Sequence, residues 1–263
     1  MKKNFTGVTI HMQKMCYRRI TYLIACVACV LASPTGDPTE QVEMPGHSNR
    51  PHTDNCQLKG IVTAASSEYF LSVLNLVGSL HVYEPTIPID IYNLGLTQRQ
   101  VQVSRYVHNI QLIEFPFDDY PPHIRNLKNF GWKAAVIKEA VERRGCVLFL
   151  DAGMELRNFL SDLISKLAHH GAWFVQSHEA LRNYVHPGTF RALALEKKRV
   201  VEESKDGGVK KVLDWEATIY AHRSLAAGMM GWCANSTLWQ DLFSPWLRCS
   251  MQLDCIFPAG KKL

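Results

Sequence analysis

The sequence predicts a single α/β domain whose mostly parallel sheet is flanked by helices. Short apolar runs alternate with amphipathic stretches, an order that gives parallel strands joined by right-handed crossovers. The run Cys146–Leu150 is apolar without alternation, as in a central strand that is covered on both faces. It leads directly into Asp151, at the sheet edge where such domains bind ligands. A chain of 263 residues is long enough for one such domain.

The elements follow in order along the chain. Residues 59–65 predict the first strand, and Ser66 or Ser67 can cap the helix after it. Apolar residues spaced at i, i+3, i+4 and i+7 between Phe70 and Leu80 predict that helix. By the same criteria, further strands are predicted at 87–92, 110–115, 172–176 and 226–234, and helices at 97–106, 131–144, 156–167 and from 236 onward.

The segment 196–211 is dense in charge and contains Gly207-Gly208. Such a composition is typical of a solvated loop or helix, which is our expectation here. Trp232, Trp239 and Trp246 are expected in the core.

Composition limits the classes of function. The hydrophobic content of 47% with 20% charged residues excludes a disordered chain. The formal net charge is +5, but five basic residues precede the first acidic one, which leaves 24 basic against 24 acidic groups (29 minus 5, against 24). This balance gives no electrostatic sign of a nucleic-acid partner.

The N-terminal region predicts entry into the secretory pathway. Basic residues precede an apolar run at 20–32, and small residues follow it. Residues 1–33 are therefore either a cleaved signal peptide or a signal anchor with its basic end in the cytosol. The proline-containing segment 34–57 is interpreted as a linker or stalk, and 58–263 as the folded domain.

The cysteines and one sequon fit an oxidising compartment. Cys249 and Cys255 flank a short loop and could form a disulfide there. Cys146 opens the buried strand and is expected to be an inert thiol. Asn235-Ser236-Thr237 is a candidate N-glycosylation site.

Four motifs in order carry a resemblance to a known family: Ala64-Ala65-Ser66-Ser67, Phe130-Gly131-Trp132-Lys133, Val147–Gly153 and Ala227–Trp232. Together they resemble the nucleotide-diphospho-sugar transferases, glycosyltransferases of the GT-A fold, and in particular animal members of the secretory pathway. The likeness covers about residues 58–260. Relatives usually continue beyond the turn at 255–260, so a C-terminally incomplete domain is expected.

The resemblance implies roles for several residues. Asp151 corresponds to the first acid of a DxD-type motif, which holds a divalent cation, Mn²⁺ or Mg²⁺, on the donor diphosphate. Gly153 stands where the second acid is expected. Trp132 and Lys133 correspond to an aromatic–lysine pair near the donor pocket, and Gly228 could permit close approach of the donor.

Each role has a structural alternative in the residue pattern itself. A carboxylate oxygen suits a hard divalent cation, but Asp151 could also cap the helix predicted after it. Lys133 could be a solvated lysine of a first helical turn, and Gly228 a tight packing position. His178, Asp214 and Glu216 are candidate general bases, or exposed polar residues of loops.

The implied function is transfer of a sugar from a nucleotide-sugar donor to an unknown glycan or protein acceptor. The implied location is the ER or Golgi lumen as a type II membrane protein, or outside the cell if the signal is cleaved. The alternative is a non-catalytic lumenal or secreted binding domain, since Gly153 replaces an acid. A dinucleotide or S-adenosylmethionine enzyme is disfavoured because no G-x-G-x-x-G follows the first strand.

Overall fold

The computed structural model describes residues 56–181, 185–193, 200–203, 209–213 and 223–259. The strands are β1 (Gly60–Ala65), β2 (Ile89–Asn93), β3 (Ile110–Glu114), β4 (Cys146–Leu150), β5 (Ala172–Ala180), β6 (Val200–Glu203), β7 (Val209–Leu213) and β8 (Arg223–Cys233). The helices are α1 (Phe70–Tyr83), α2 (Gln98–Ser104), α3 (Trp132–Arg144), α4 (Ser161–His170), α5 (Pro187–Ala192), α6 (Ser244–Ser250) and α7 (Leu253–Ile256).

The main sheet has six strands in the order β3-β2-β1-β4-β8-β5. The first four run parallel, and β8 is antiparallel to both of its neighbours. β6 and β7 pair as a separate antiparallel hairpin. The predicted fold class, an α/β domain on a mostly parallel sheet, is confirmed.

The strand order reverses beside β1. From β1 the chain adds β2 and then β3 on one side, and it then crosses back to place β4 on the other side. The carboxyl ends of β1 and β4 therefore flank a topological switch point. In open α/β sheets, the crevice at such a point is where ligands bind.

β4 lacks alternation because apolar cores lie on both of its faces. Val147 and Phe149 pack with α3 and the C-terminal helices, whereas Leu148 and Leu150 pack with α1 and α4. All four side chains are completely buried. Burying each one contributes about 1.5–3 kcal/mol, so this strand is a rigid support for the residue that follows it.

The helix predicted at 156–167 begins later, at Ser161. The preceding residues are apolar at helical spacing but lie in an extended loop bound to α1. The Leu156 amide donates to the Ser79 hydroxyl at 3.0 Å, and the Leu160 amide donates to the Glu84 carboxylate at 2.5 Å. These tertiary bonds replace the helical ones, and both leucines remain buried.

Two further expectations differ from the structure. The segment 196–211, expected to be a loop or helix, contributes β6 and part of β7, because its valines favour strand pairing. Ser66 precedes the first helical turn but its side chain makes no cap hydrogen bond. In contrast, Thr97 forms a full capping box with Gln100 at the start of α2.

The sulfur chemistry also differs from expectation. Cys146 is not a free thiol: it forms a disulfide with Cys233, its register partner on β8, with the Cα atoms 4.0 Å apart. The expectation was wrong because the partner lies 87 residues away and only the strand order brings it close. Cys249 pairs with Cys255, with the Cα atoms 5.2 Å apart. Cys56 is a buried free thiol beside the first disulfide.

The three tryptophans expected in the core lie there. Trp232 and Trp246 are buried, and Trp239 is partly buried against the same cluster. In the described part of the chain, no helix has both the length and the apolar character needed to cross a bilayer. The segments predicted as signal or anchor (1–33) and as linker (34–57) lie almost entirely outside that part, so both remain predictions.

Candidate functional site

Asp151 lies at the carboxyl edge of the sheet, immediately after β4. Its backbone N–H donates to the Gly228 carbonyl of β8 at 2.8 Å, and its own carbonyl accepts from the Met154 N–H at 3.0 Å. The backbone is thus fixed on both sides, while 16% of the side chain is exposed to solvent. The carboxylate is held rigidly at the rim of the sheet rather than carried on a flexible loop.

Lys133 is the direct partner of this carboxylate. α3 runs back along the sheet from the carboxyl edge, so its first turn lies above the end of β4. The Lys133 ammonium lies 2.5 Å from Asp151 Oδ1 and donates to the Ala227 carbonyl at 3.3 Å. Only 2% of its side chain is exposed, so the alternative of a solvated lysine is wrong.

Aromatic rings enclose the Lys133 ammonium. It lies 5.5 Å from the ring centre of Phe149, 5.6 Å from that of Trp132 and 6.0 Å from that of Phe130. Burial lowers the pKa of Lys133, and the charge and hydrogen bond of Asp151 oppose that shift. The ammonium is therefore stabilised in this apolar site mainly by one carboxylate.

This donor set does not by itself make a metal site. Asp151 offers one carboxylate, which already pairs with an ammonium, whereas divalent cations in proteins take several oxygen ligands. Across the ranges that the structure describes, no three His, Cys, Asp or Glu residues are grouped to hold a cation. The expected Mn²⁺ or Mg²⁺ at Asp151 therefore stays a prediction.

Gly153 lies two residues beyond Asp151 and is exposed. A Cβ placed on it meets no heavy atom within 4 Å, so the space at this position is open. The expected helix cap at Asp151 is not found, because the chain continues as a loop as far as Ser161. The other acidic residue of this loop, Glu155, forms an ion pair with Arg157 at 3.0 Å.

Trp132 and Gly228 lie beside this site, but both are buried. The Trp132 indole N–H donates to the Leu127 carbonyl at 3.1 Å, and its ring packs near Phe149 in the core. This placement favours support of the Lys133 pocket over contact with a ligand. The Gly228 carbonyl is occupied by the Asp151 amide.

The candidate bases are less well defined. His178 was expected in a loop after the strand, but β5 extends to Ala180 and includes it. Asp214 and Glu216 lie outside the described residues. Their roles as general bases therefore remain predictions.

Sequence reasoning missed the position of the serines after β1. Ser66 and Ser67 follow β1 at the switch point, where β1 lies beside β4, and both are partly exposed. The Ser67 N–H donates to the Gly95 carbonyl at 3.0 Å, which ties this loop to the one after β2. The order of the predicted strands and helices could have shown that these serines lie at the switch point, because the position of a switch point follows from the sheet topology.

A family described as "Protein of unknown function (DUF1647)" matches residues 48–138, about a third of the chain. No curated protein has a significantly similar sequence.

The chain is similar to several solved glycosyltransferase structures at low identity. Core-mannan synthase A from Aspergillus fumigatus aligns with 11% identity and a TM-score of 0.46, over 99% of this chain and 81% of that one. Mouse xyloside xylosyltransferase 1 aligns with 12% identity and a TM-score of 0.42, over 75% of each chain. The galactosyltransferase LgtC aligns with 16% identity and a TM-score of 0.39, and the match spans 72% of this chain but only 59% of LgtC.

Proposed function

We propose that this domain is a GT-A-like glycosyltransferase that moves a sugar from a nucleoside-diphosphate donor to a glycan or protein acceptor in the secretory pathway. The observation that carries the proposal is the rim carboxylate of Asp151, held by the buried Lys133 at a topological switch point. Ligands of α/β domains bind at such a point, and a rigid charged group there is a recognition element.

The donor is proposed to lie in the crevice between the ends of β1 and β4. Ser66 and Ser67 border the crevice on one side, and Asp151 borders it on the other. The hydroxyls of a ribose or of the donor sugar are neutral hydrogen-bond donors that suit a carboxylate acceptor. Gly153, two residues beyond Asp151, borders open space, which the donor sugar is proposed to occupy.

Lys133 acts as a positioning residue in this proposal. Its ammonium is too buried to contact a ligand directly, but it fixes one oxygen of Asp151. In this proposal, the other oxygen of the carboxylate accepts a hydrogen bond from the donor. The positive end of the α3 dipole lies at the same edge and favours the charge of a diphosphate group.

Sulfur chemistry supports the proposed location. The two disulfides, Cys146–Cys233 and Cys249–Cys255, are typical of proteins that fold in an oxidising compartment. This is consistent with a chain that enters the ER or Golgi lumen through its N-terminal segment, either as a type II membrane protein or after signal cleavage.

A transfer assay tests the activity. Purified protein is incubated with UDP- and GDP-sugars, with Mn²⁺, Mg²⁺ or a chelator, and release of the nucleoside diphosphate is measured. We expect turnover that Asp151→Asn reduces at least tenfold, because the amide keeps the bond to Lys133 but loses the charge. Asp162→Asn, an exposed acid on α4, is the matched control and should retain activity. Turnover unaffected by Asp151→Asn would contradict the proposal.

A non-catalytic binding domain is the second candidate. The observation that favours it is Gly153 at the open position where the resemblance expects an acid. In that case, the transfer assay shows no release of nucleoside diphosphate, whereas calorimetric titration shows donor binding that depends on Asp151.

A further inference from the structure

We propose that Asn235 carries an N-linked glycan, attached at the sheet edge opposite the candidate site. One residue separates the sequon Asn235-Ser236-Thr237 from the end of β8, and the structure places Asn235 in an exposed turn. Thr237, which supplies the hydroxyl that the sequon requires, is also exposed. The proposal rests on the secretory-pathway entry proposed above, but it does not depend on transferase activity.

The middle residue of the sequon shapes this turn. The Ser236 hydroxyl donates to the Cys233 carbonyl at 2.9 Å and accepts from the Trp239 amide at 3.2 Å. Ser236 is buried and lies against Gly171, where an added Cβ would come within 2.3 Å of the serine Cβ. With Ser236 turned inward, its two neighbours are exposed.

Asn235 itself has no structural task that a glycan would disturb. Within the described residues, its side chain takes part in no hydrogen bond, ion pair or ring contact. A branched sugar chain on this side chain projects into solvent, so the folded domain accommodates it without repacking.

The position also keeps a glycan away from the candidate site. β8 is antiparallel to β4, so the end of β8 lies beside the beginning of β4, with Cys233 opposite Cys146. Asp151 follows the other end of β4, five residues away, or about 16 Å along the strand. A glycan on Asn235 therefore leaves the crevice between β1 and β4 open.

The group transfer uses a lipid-linked oligosaccharide diphosphate as the donor. The bond between the anomeric carbon and the diphosphate oxygen breaks, and a bond from that carbon to Asn235 Nδ2 forms. The amide loses one proton, and the lipid diphosphate leaves. No oxidant or reductant is needed.

Expression of the full chain in animal cells tests the proposal, with immunoblots before and after peptide N-glycosidase treatment. We expect one glycosidase-sensitive mobility shift in the wild-type chain, which Asn235→Gln and Thr237→Ala each abolish. Ser236→Ala is the matched control: it removes the buried hydroxyl but keeps the sequon, so the shift should persist. The readout is taken from whole lysate and does not require folded, purified protein.

A second sequon, Asn4-Phe5-Thr6, precedes the apolar segment and supplies a further control. Asn4→Gln should leave the shift unchanged. The proposal is overturned if the wild-type chain shows no shift, or if the shift survives Asn235→Gln. Thiol alkylation of the same samples reports separately whether the disulfides form, and the transfer assay on Asn235→Gln protein should give wild-type turnover.

Discussion

The ion pair between Lys133 and Asp151 gives a quantitative prediction. Replacement of Asp151 by Ala leaves an ammonium with 2% side-chain exposure in an aromatic pocket, where the Ala227 carbonyl is its one remaining acceptor among the described residues. Breaking a buried ion pair by removing one partner costs about 3–5 kcal/mol. We expect Asp151→Ala to lower the free energy of unfolding at pH 7 by about this amount, as measured by urea denaturation.

The loss of stability caused by Asp151→Ala should depend on pH, and it should be smaller at higher pH. The pKa of Lys133 is already lowered by burial, and loss of Asp151 removes the group that opposes the shift. Between the lowered pKa of Lys133 in the folded variant and the ordinary lysine pKa, the unfolded chain binds more protons than the folded one. The stability of the variant therefore rises with pH over that range. Between pH 7 and pH 9 the difference in unfolding free energy between the variant and the wild type should therefore become smaller.

Two control variants isolate the charge. Lys133→Met combined with Asp151→Ala removes both charges and keeps apolar volume, so it should recover about 2–3 kcal/mol of the loss. Asp162→Ala breaks an exposed pair with Lys166 and should change stability by less than about 0.5 kcal/mol at either pH. An Asp151→Ala penalty below about 1 kcal/mol that does not change with pH would refute the reasoning.

Three further predictions concern other parts of the domain. Asp90 is fully buried and its carboxylate accepts two hydrogen bonds from Arg144, so Arg144→Ala should lower the free energy of unfolding by about 3–5 kcal/mol in urea denaturation. Lys138→Ala, which breaks the partly exposed pair with Glu142, should lower it by less than about 1 kcal/mol, and equal losses in the two variants would contradict this. Burial raises the pKa of Tyr92 to about 12, so its contribution to stability is complete below about pH 10 and is lost as the pH rises toward 12. Between pH 10 and pH 12, the free energy of unfolding of Tyr92→Phe should therefore fall by about 2 kcal/mol less than that of the wild type, and an equal fall in both proteins would contradict this. Gly153→Asp should have a melting temperature within about 2 °C of the wild type, because the space at this position is open. The added carboxylate should also strengthen Mn²⁺ binding in calorimetry, and a large fall in melting temperature or unchanged Mn²⁺ binding would contradict this prediction.

The sequence was sufficient to predict the central strand and the carboxylate after it. Val147 and Phe149 face one core, and Leu148 and Leu150 face the other, so the lack of alternation reports burial on both sides. The strand end and the following Asp151 are local features, and local patterns predict them well.

Long-range features could not be predicted in the same way. The disulfide between Cys146 and Cys233 depends on β8 lying antiparallel beside β4, which no local pattern encodes. Lys133 occupies a first helical turn that is usually solvated, and it is buried here because that turn lies over the end of β4. The start of α4 was predicted too early because the loop before it also has apolar residues at helical spacing. Leu156 and Leu160 in that loop are buried in the core without being helical.

Calorimetric titration of the wild-type protein and Asp151→Asn with a series of UDP- and GDP-sugars tests the central claim most directly. The account predicts saturable binding of at least one nucleotide-sugar to the wild-type protein, and an at least tenfold higher Kd for Asp151→Asn, equivalent to about 1.4 kcal/mol. Equal affinity in the two proteins, or no binding of any nucleotide-sugar to the wild-type protein, would contradict it.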